Sequence, residues 1–301
     1  MPPTPPGIAL FLNGDRGLKV GKALAAAELQ PKCVVWHGSK IDDSFELAWL
    51  LSSTPRHHMP GRSEGDWDEV REFLRSVEAN LGLVAGFSFI LPSRVLEVPE
   101  QGFINLHAGT VPRYRGGSPL NWQIANGEAF AGLSILRMTT GIDDGPVVAT
   151  EVLTIDATTT IADLHRRANE TFPDMVVRVV LNLERALSSA VEQNAENSRY
   201  WHQRSDLDGR FDPRLIRTVD LERLVRAVTR PYPGAWAMVG SQELRLFAAR
   251  TSNASFCGTP GRVVRLADGP PVIVLSDGAL EVHDYQLGSS PDGLRNEMFL
   301  N

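Results

Sequence analysis

Asn105-Leu106-His107 places an amide and an imidazole two residues apart, a spacing that puts both side chains on one face if the segment is extended. Further on, Gly141-Ile142-Asp143-Asp144-Gly145-Pro146 offers two carboxylates on a glycine-flanked loop. If that loop folds back, a carboxylate reaches the histidine. An amide that donates to a developing oxyanion, an imidazole that works as acid or base, and an acid that orients it suit acyl transfer to an amine without a covalent enzyme intermediate. Each residue also has a plainer reading: Asn105 as a turn former, His107 as a satisfied buried histidine, Asp143 as a loop cap. Spacing alone leaves these open, and leaves Asp143 against Asp144 open too. Between the two motifs, Ala108 to Pro119 is turn-rich, with Pro112 and the glycines fixing the backbone while exposing Arg113 and Arg115. Arg113, Tyr114, Arg115 and Gly116 are therefore the candidate substrate-binding residues.

The elements that must position these residues follow from pattern. Ile8 to Leu12 reads as a buried strand, Asn13 to Gly17 as a turn, and the Lys/Ala/Leu-rich stretch before Pro31 as a helix. Cys33 to Trp36 is a second strand, which gives the β-α-β alternation of a parallel sheet with helices on its faces. Glu64 to Leu81 has helical spacing, and Leu83 to Ile90 is strand-like. Phe103 to His107 is a short strand, and Gly132 to Met138 with Val147 to Ile155 form a strand pair around the loop Thr139 to Pro146, so the sheet is mixed. Thr160 to Asp163 has capping-box form ahead of a long helix in which Pro173 predicts a kink or break. Val191 to Pro213 reads as a linker with a domain boundary near 200. Beyond it, a helix over Leu221 to Val228 and glycine-punctuated short strands fit a small β-barrel-like domain.

Composition removes several classes. With 30 basic against 36 acidic residues the formal charge is −6, and no Lys/Arg run offers the clustered cations that a nucleic-acid binder needs. The densest stretch, Arg199 to Arg217, is interrupted by Asp206, Asp208 and Asp212 and reads as solvated surface. No apolar run spans a bilayer, and Met1 to Pro6 lacks the form of a signal peptide, so a cytoplasmic protein is expected. Cys33 and Cys257 stand far apart and read as core packing; no metal is expected. Gly14 to Lys22 fits neither a dinucleotide fingerprint nor a P-loop, and the plain reading is a glycine turn with helix packing. Ser88 lacks the second glycine of a nucleophile elbow. His57-His58 reads as a surface pair.

Asn105-x-His107, the Pro112-x-Tyr114-Arg115-Gly116 segment, Trp122, Asn126-Gly127-Glu128, Met138 and Gly141-Ile-Asp-Asp-Gly-Pro146 together resemble the folate-dependent formyltransferases. The match is densest from Gly86 to Pro146, and Arg230-Pro-Tyr-Pro-Gly-Ala-Trp236 resembles the start of the second domain in the two-domain members. The resemblance implies an α/β fold: a Rossmann-like formyltransferase domain with a mixed sheet over residues 1–200, then a small OB-like β-barrel domain over 201–301. It implies 10-formyltetrahydrofolate as formyl donor and assigns catalysis to Asn105, His107 and Asp143, with Asp144 as the fallback acid. The folate would lie against Phe87, Phe89, Ile90 and Leu91 and against Thr139, Gly141 and Ile142. The family's Ser-Leu-Leu-Pro is here Gly109-Thr-Val-Pro112, which removes one hydroxyl unless Thr110 replaces it.

Three classes resemble this pattern: methionyl-tRNA formyltransferases, N-formyltransferases of nucleotide-linked amino sugars, and hydrolases that release formate from the folate. The acidic balance and the linker Arg204-Ser-Asp-Leu-Asp-Gly209 resemble the sugar group, so a nucleotide-linked amino sugar is the expected acceptor. The alternatives are charged initiator tRNA and a small amine such as hydroxyornithine. The hydrolase is disfavoured because no regulatory module precedes the domain. A non-catalytic folate-binding module is the rival from outside enzymes, and keeping all three polar residues argues against it. A homodimer is the expectation from the commonest symmetry.

Overall fold

Four short apolar runs build the centre of one sheet, because strands buried on both faces read as continuous hydrophobic stretches. The computed structural model describes residues 5–38, 54–254, 256–266, 269–288 and 293–300. Most of the proline-rich start therefore lies outside the described residues. In chain order the elements are β1 (Ile8–Leu12), α1 (Gly14–Ala26), β2 (Cys33–His37), β3 (Arg56–Met59), α2 (Glu64–Ser76), β4 (Leu81–Ala85), α3 (Ser93–Leu96) and β5 (Phe103–His107). Then come β6 (Arg115–Gly116), α4 (Pro119–Ala125), β7 (Phe130–Arg137), β8 (Val147–Thr154), α5 (Ile161–Leu181), α6 (Leu183–Ser188), β9 (Tyr200–Trp201) and α7 (Thr218–Val228). The chain ends in β10 (Ala235–Val239), β11 (Gln242–Thr251), β12 (Val263–Val264), β13 (Val272–Leu275) and β14 (Gly278–Leu287).

The larger sheet has seven strands in the order β3-β2-β1-β4-β5-β7-β8. β1 pairs in parallel with β2 and β4, and β4 with β5, whereas β7 runs antiparallel to β5 with His107 opposite Ser134. This is the mixed sheet expected from the strand and helix alternation. β1, β2 and β4 are almost wholly buried, and Phe11 packs edge-on to Phe87 and Phe103. Gly17 belongs to packing: a Cβ there would stand 2.6 Å from the Leu12 Cβ and 2.8 Å from the Ala85 carbonyl, so α1 meets the sheet through its backbone.

Several local expectations meet a different outcome. β3 carries His57 and His58 on the sheet edge, paired with Val35 and Trp36, and His57 is half-buried against Phe73 because the edge strand is covered by α2. Burial lowers the His57 pKa. The capping box forms, with Asp163 N–H donating to Thr160 Oγ1 and Thr160 N–H to Asp163 Oδ2. Pro173 does not break α5, which is continuous from Ile161 to Leu181; Phe172, Met175 and Val176 are buried around it, and that packing holds a turn lacking one hydrogen bond. Cys33 is core, but Cys257 is exposed, since it lies in an irregular stretch between β11 and β12 that no element covers.

By its contacts the chain divides into two compact units, one of Met1–Arg115, Gly132–Leu153 and Arg166–Tyr200, the other of Gly116–Ala131, Thr154–His165 and Trp201–Asn301. The second holds a five-stranded antiparallel sheet, β10-β11-β14-β13-β12. Its ends are drawn together by the tail, where Leu300 bridges to Val239 at the end of β10 and Phe299 to Arg262 beside β12, the closure expected of a small barrel. Among the described residues no helix is long and apolar enough to cross a membrane.

Burial pushes the Cys33 thiol up to about 12. A thiol reagent at neutral pH should therefore label Cys257 alone in the folded chain and both cysteines in denaturant, as counted by mass. Labelling of Cys33 in the native state would contradict its burial.

Candidate active site

β5 ends in the site. Asn105 and His107 project from the same face of the strand, and the loop after β7 returns Asp143 to both of them. The His107 Nδ1 lies 3.3 Å from the Asp143 Oδ2, and Asn105 Nδ2 donates to the Asp143 Oδ1 at 3.3 Å. His107 is 5% exposed, and its Nε2 faces the Tyr114 carbonyl at 2.6 Å. Both ring nitrogens thus look at acceptors, so the imidazole is gripped from two sides.

Asp143 takes a left-handed backbone, φ 50°, which is uncommon for a residue with a side chain. That turn is what sends its carboxylate back along β5. Gly145 must be glycine for the same reason, because a Cβ there would stand 1.9 Å from the Arg137 carbonyl. Asp144 goes elsewhere: its carboxylate accepts from the Thr139 hydroxyl, whose oxygen also takes the Gly141 N–H at 3.2 Å. The structure therefore brings Asn105, His107 and Asp143 together and leaves Asp144 shaping the loop.

The departure at Gly109 also has a geometric content. A Cβ on Gly109 would lie 2.3 Å from His107 Nε2 and 2.5 Å from the Tyr114 carbonyl, so the bond between those two groups exists only because position 109 has no side chain. Ser134 Oγ donates to the Gly109 carbonyl at 3.0 Å and fixes that peptide. The Thr110 hydroxyl accepts the Gly132 N–H at 2.9 Å, tying the loop to β7.

The binding-loop residues divide. Arg113 is exposed with its guanidinium 5.8 Å from the Tyr114 ring, and Tyr114 is buried. Arg115, expected to be exposed, is instead 5% exposed, because its guanidinium is turned inward to Gln193 and Tyr200. Gly116 lies in β6, where a Cβ would meet the Trp201 carbonyl at 2.3 Å. Of the residues assigned to the folate, Phe87 and Leu91 are buried, Phe89 is half-buried, and Ile90 and Ile142 are exposed at 73% and 48%. Thr139 and Gly141 are exposed on the loop. Exposed Ile90 and Ile142 can cover the ring faces of a pterin, and to that extent the residues fit a bound folate.

Comparisons with known proteins show the family. A formyl transferase model matches residues 51–180, and a formyl transferase C-terminal domain model matches 217–292. The methionyl-tRNA formyltransferase of Paracoccus denitrificans (strain Pd 1222) is 34% identical over 277 residues, 90% of this chain and 87% of the relative. The chain belongs to the folate-dependent formyltransferase family. Among solved structures, the N-formyltransferase from Helicobacter canadensis in complex with folinic acid and dTDP-3-aminofucose is similar with a TM-score of 0.69, at 15% identity, over 93% of this chain and 99% of that one. HypX from Aquifex aeolicus in complex with tetrahydrofolic acid is similar with a TM-score of 0.64, at 20% identity, over 94% of this chain. The formyltransferase chain spans less than half, 44%, of HypX.

Sequence reasoning missed three contributors to this formyltransferase's site region. Gln193 donates to the Asp143 and Gly145 carbonyls at 2.9 and 2.7 Å, yet stands in a stretch read as linker. The Tyr114 carbonyl is a backbone group, invisible to residue type. His37, at the end of β2, stacks on Phe89 at 3.9 Å and shares its Nε2 with the Ser88 hydroxyl at 2.9 Å. Burial, and secondarily the nearby His58, lower the His37 pKa. Among the described residues no group of three or more His, Cys, Asp or Glu forms a metal cluster.

The packing at position 109 is directly testable. Gly109→Ala should lower the unfolding free energy by about 1–3 kcal/mol, the usual cost of overpacking a filled site. Urea denaturation measures it, and an unchanged midpoint would mean the imidazole does not rest on the Tyr114 carbonyl.

Proposed function

We propose that the chain transfers the formyl group of 10-formyltetrahydrofolate to the primary amine of a nucleotide-linked amino sugar. The observation that carries the acceptor is how the arginines of the second unit are engaged. Arg214 pairs with Asp212, Arg217 and Arg223 with Asp220, Arg230 with Asp284, Arg245 with Asp206 and Glu243, and Arg250 with Glu281. Arg204 and Arg226 donate to backbone carbonyls, and Arg210 lies over the Trp236 ring. A protein that holds tRNA must offer cations to phosphates and release counterions, whereas most of these arginines are already engaged by the chain's own acids. With a formal charge of −6 the chain suits a small acceptor.

In this reading the neutral amine attacks the formyl carbon, the bond from that carbon to the folate nitrogen breaks, and the nitrogen leaves with a proton. Asn105 donates to the oxygen that gains charge in between, and His107 joins it when its Nε2 leaves the Tyr114 carbonyl. Asp143 holds the imidazole in line and takes the amine proton directly or through water. In the same reading Ile90, Ile142 and the loop from Thr139 hold the folate, and exposed Arg113 serves the acceptor. Residues 1–200 carry this chemistry as a catalytic domain, with 201–301 as the smaller OB-like domain, in a cytoplasmic enzyme that acts alone or as a homodimer.

The second reading, transfer to charged initiator tRNA, is favoured by a specific observation: the relatives from Paracoccus denitrificans and Roseobacter denitrificans, 34% and 32% identical, are methionyl-tRNA formyltransferases. An assay of 10-formyltetrahydrofolate turnover with TDP- and UDP-linked amino sugars, charged initiator tRNA, hydroxyornithine and water separates the two. Turnover with an amino sugar and none with tRNA is expected; turnover with tRNA alone overturns the acceptor. In the same assay Asn105→Ala, which removes an oxyanion donor, should reduce kcat by roughly 10²–10³-fold.

A further inference from the structure

The stretch that reads as a linker is laced to both loops of the site. Val147 and Val191 exchange backbone bonds at 2.8 and 3.0 Å just beyond the Asp143 loop. Arg199 N–H donates to the Pro112 carbonyl, and Arg115 N–H to the Arg199 carbonyl, so the same segment also fixes the loop after His107. Gln193 stands between them. Its Nε2 donates to the carbonyls of Asp143 and Gly145, and its Oε1 accepts from Arg115 Nε at 2.9 Å.

Two facts give this brace a direction. Arg115 is 5% exposed and has donors only, so it demands an acceptor and fixes which way round the Gln193 amide lies: oxygen toward the guanidinium, hydrogens toward the two carbonyls. Arg115 Nη1 also donates to the Tyr200 hydroxyl at 3.0 Å, and the guanidinium lies 5.4 Å from that ring, which pins it from the far side. At the other end, Asp143 is held at φ 50°. Non-glycine residues keep that conformation where surrounding bonds over-determine it. The two carbonyls that Gln193 takes belong to that turn, one on Asp143 itself and one two residues on.

We infer that Gln193, oriented by buried Arg115, is a positioning residue that holds the Asp143 turn so that its carboxylate stays on His107. The inference rests on the proposed reading in which Asp143 acts through His107. Glutamine is the fitting residue type, since it offers hydrogens to two carbonyls and an acceptor to a cation at once.

Gln193→Glu separates the two halves: it keeps an oxygen for Arg115 and removes both hydrogens from the Asp143 and Gly145 carbonyls. Steady-state kinetics in both substrates should show kcat lowered by roughly 10–100-fold, the scale of a misplaced catalytic group, with KM for donor and acceptor nearly unchanged. The thermal midpoint is measured alongside. If the Glu variant does not fold, Gln193→Met, which is of similar length and uncharged, should give the same fall in kcat. His107→Ala is the reference. Wild-type kcat in the Gln193 variants with an inactive His107→Ala overturns the inference and leaves the site reading intact, as does a loss confined to KM. Wild-type kcat in His107→Ala overturns the site reading and the inference with it.

Discussion

An acid must be carried back along β5 to meet the His107 imidazole, and the rest of the site is arranged around that requirement. The loop after β7 leaves the sheet beside the start of β5, where Met138 N–H bonds the Phe103 carbonyl, whereas His107 stands at the far end of that strand. Only a reversal with a residue in the left-handed region brings a carboxylate to it, and Asp143 is that residue. The glycine at 145, the Thr139 contact to Asp144 and the Gln193 bonds all serve one backbone shape.

The histidine is constrained from the opposite side. A buried polar ring needs partners, and here they are the Asp143 carboxylate and the Tyr114 carbonyl. The latter approach depends on Gly109, where the family pattern carries a serine. In this chain the space of that side chain is taken by the contact between ring and carbonyl. The Asn105, His107 and Asp143 set is kept around this change.

Much of the fold was legible because the central strands are buried on both faces: Ile8 to Leu12, Cys33 to Trp36 and Phe103 to His107 are apolar runs bounded by turn residues. β3 was not, since Arg56-His57-His58-Met59 is a polar edge strand. Pro173 misled because burial of Phe172, Met175 and Val176 outweighs one missing hydrogen bond. In the site, Asn105, His107 and the Asp loop announced themselves through residue type and spacing. Arg115 reads as an exposed ligand, as an arginine between turn residues has no pattern that reveals a partner 78 residues away. Gln193 carried no signal either, because its role lies in bonds to backbone carbonyls, which leave no trace in residue type.

The family carries formyl transfer, and the proposal that it runs through a histidine oriented by one particular acid rests on the meeting of Asn105, His107 and Asp143. The single-turnover rate of formyl loss from 10-formyltetrahydrofolate, compared between Asp143→Asn and Asp144→Asn, tests this most directly. The account predicts a fall on the order of 10²-fold or more for Asp143→Asn and a far smaller one for Asp144→Asn. Equal rates in wild type and Asp143→Asn, or a loss confined to Asp144→Asn, would contradict it.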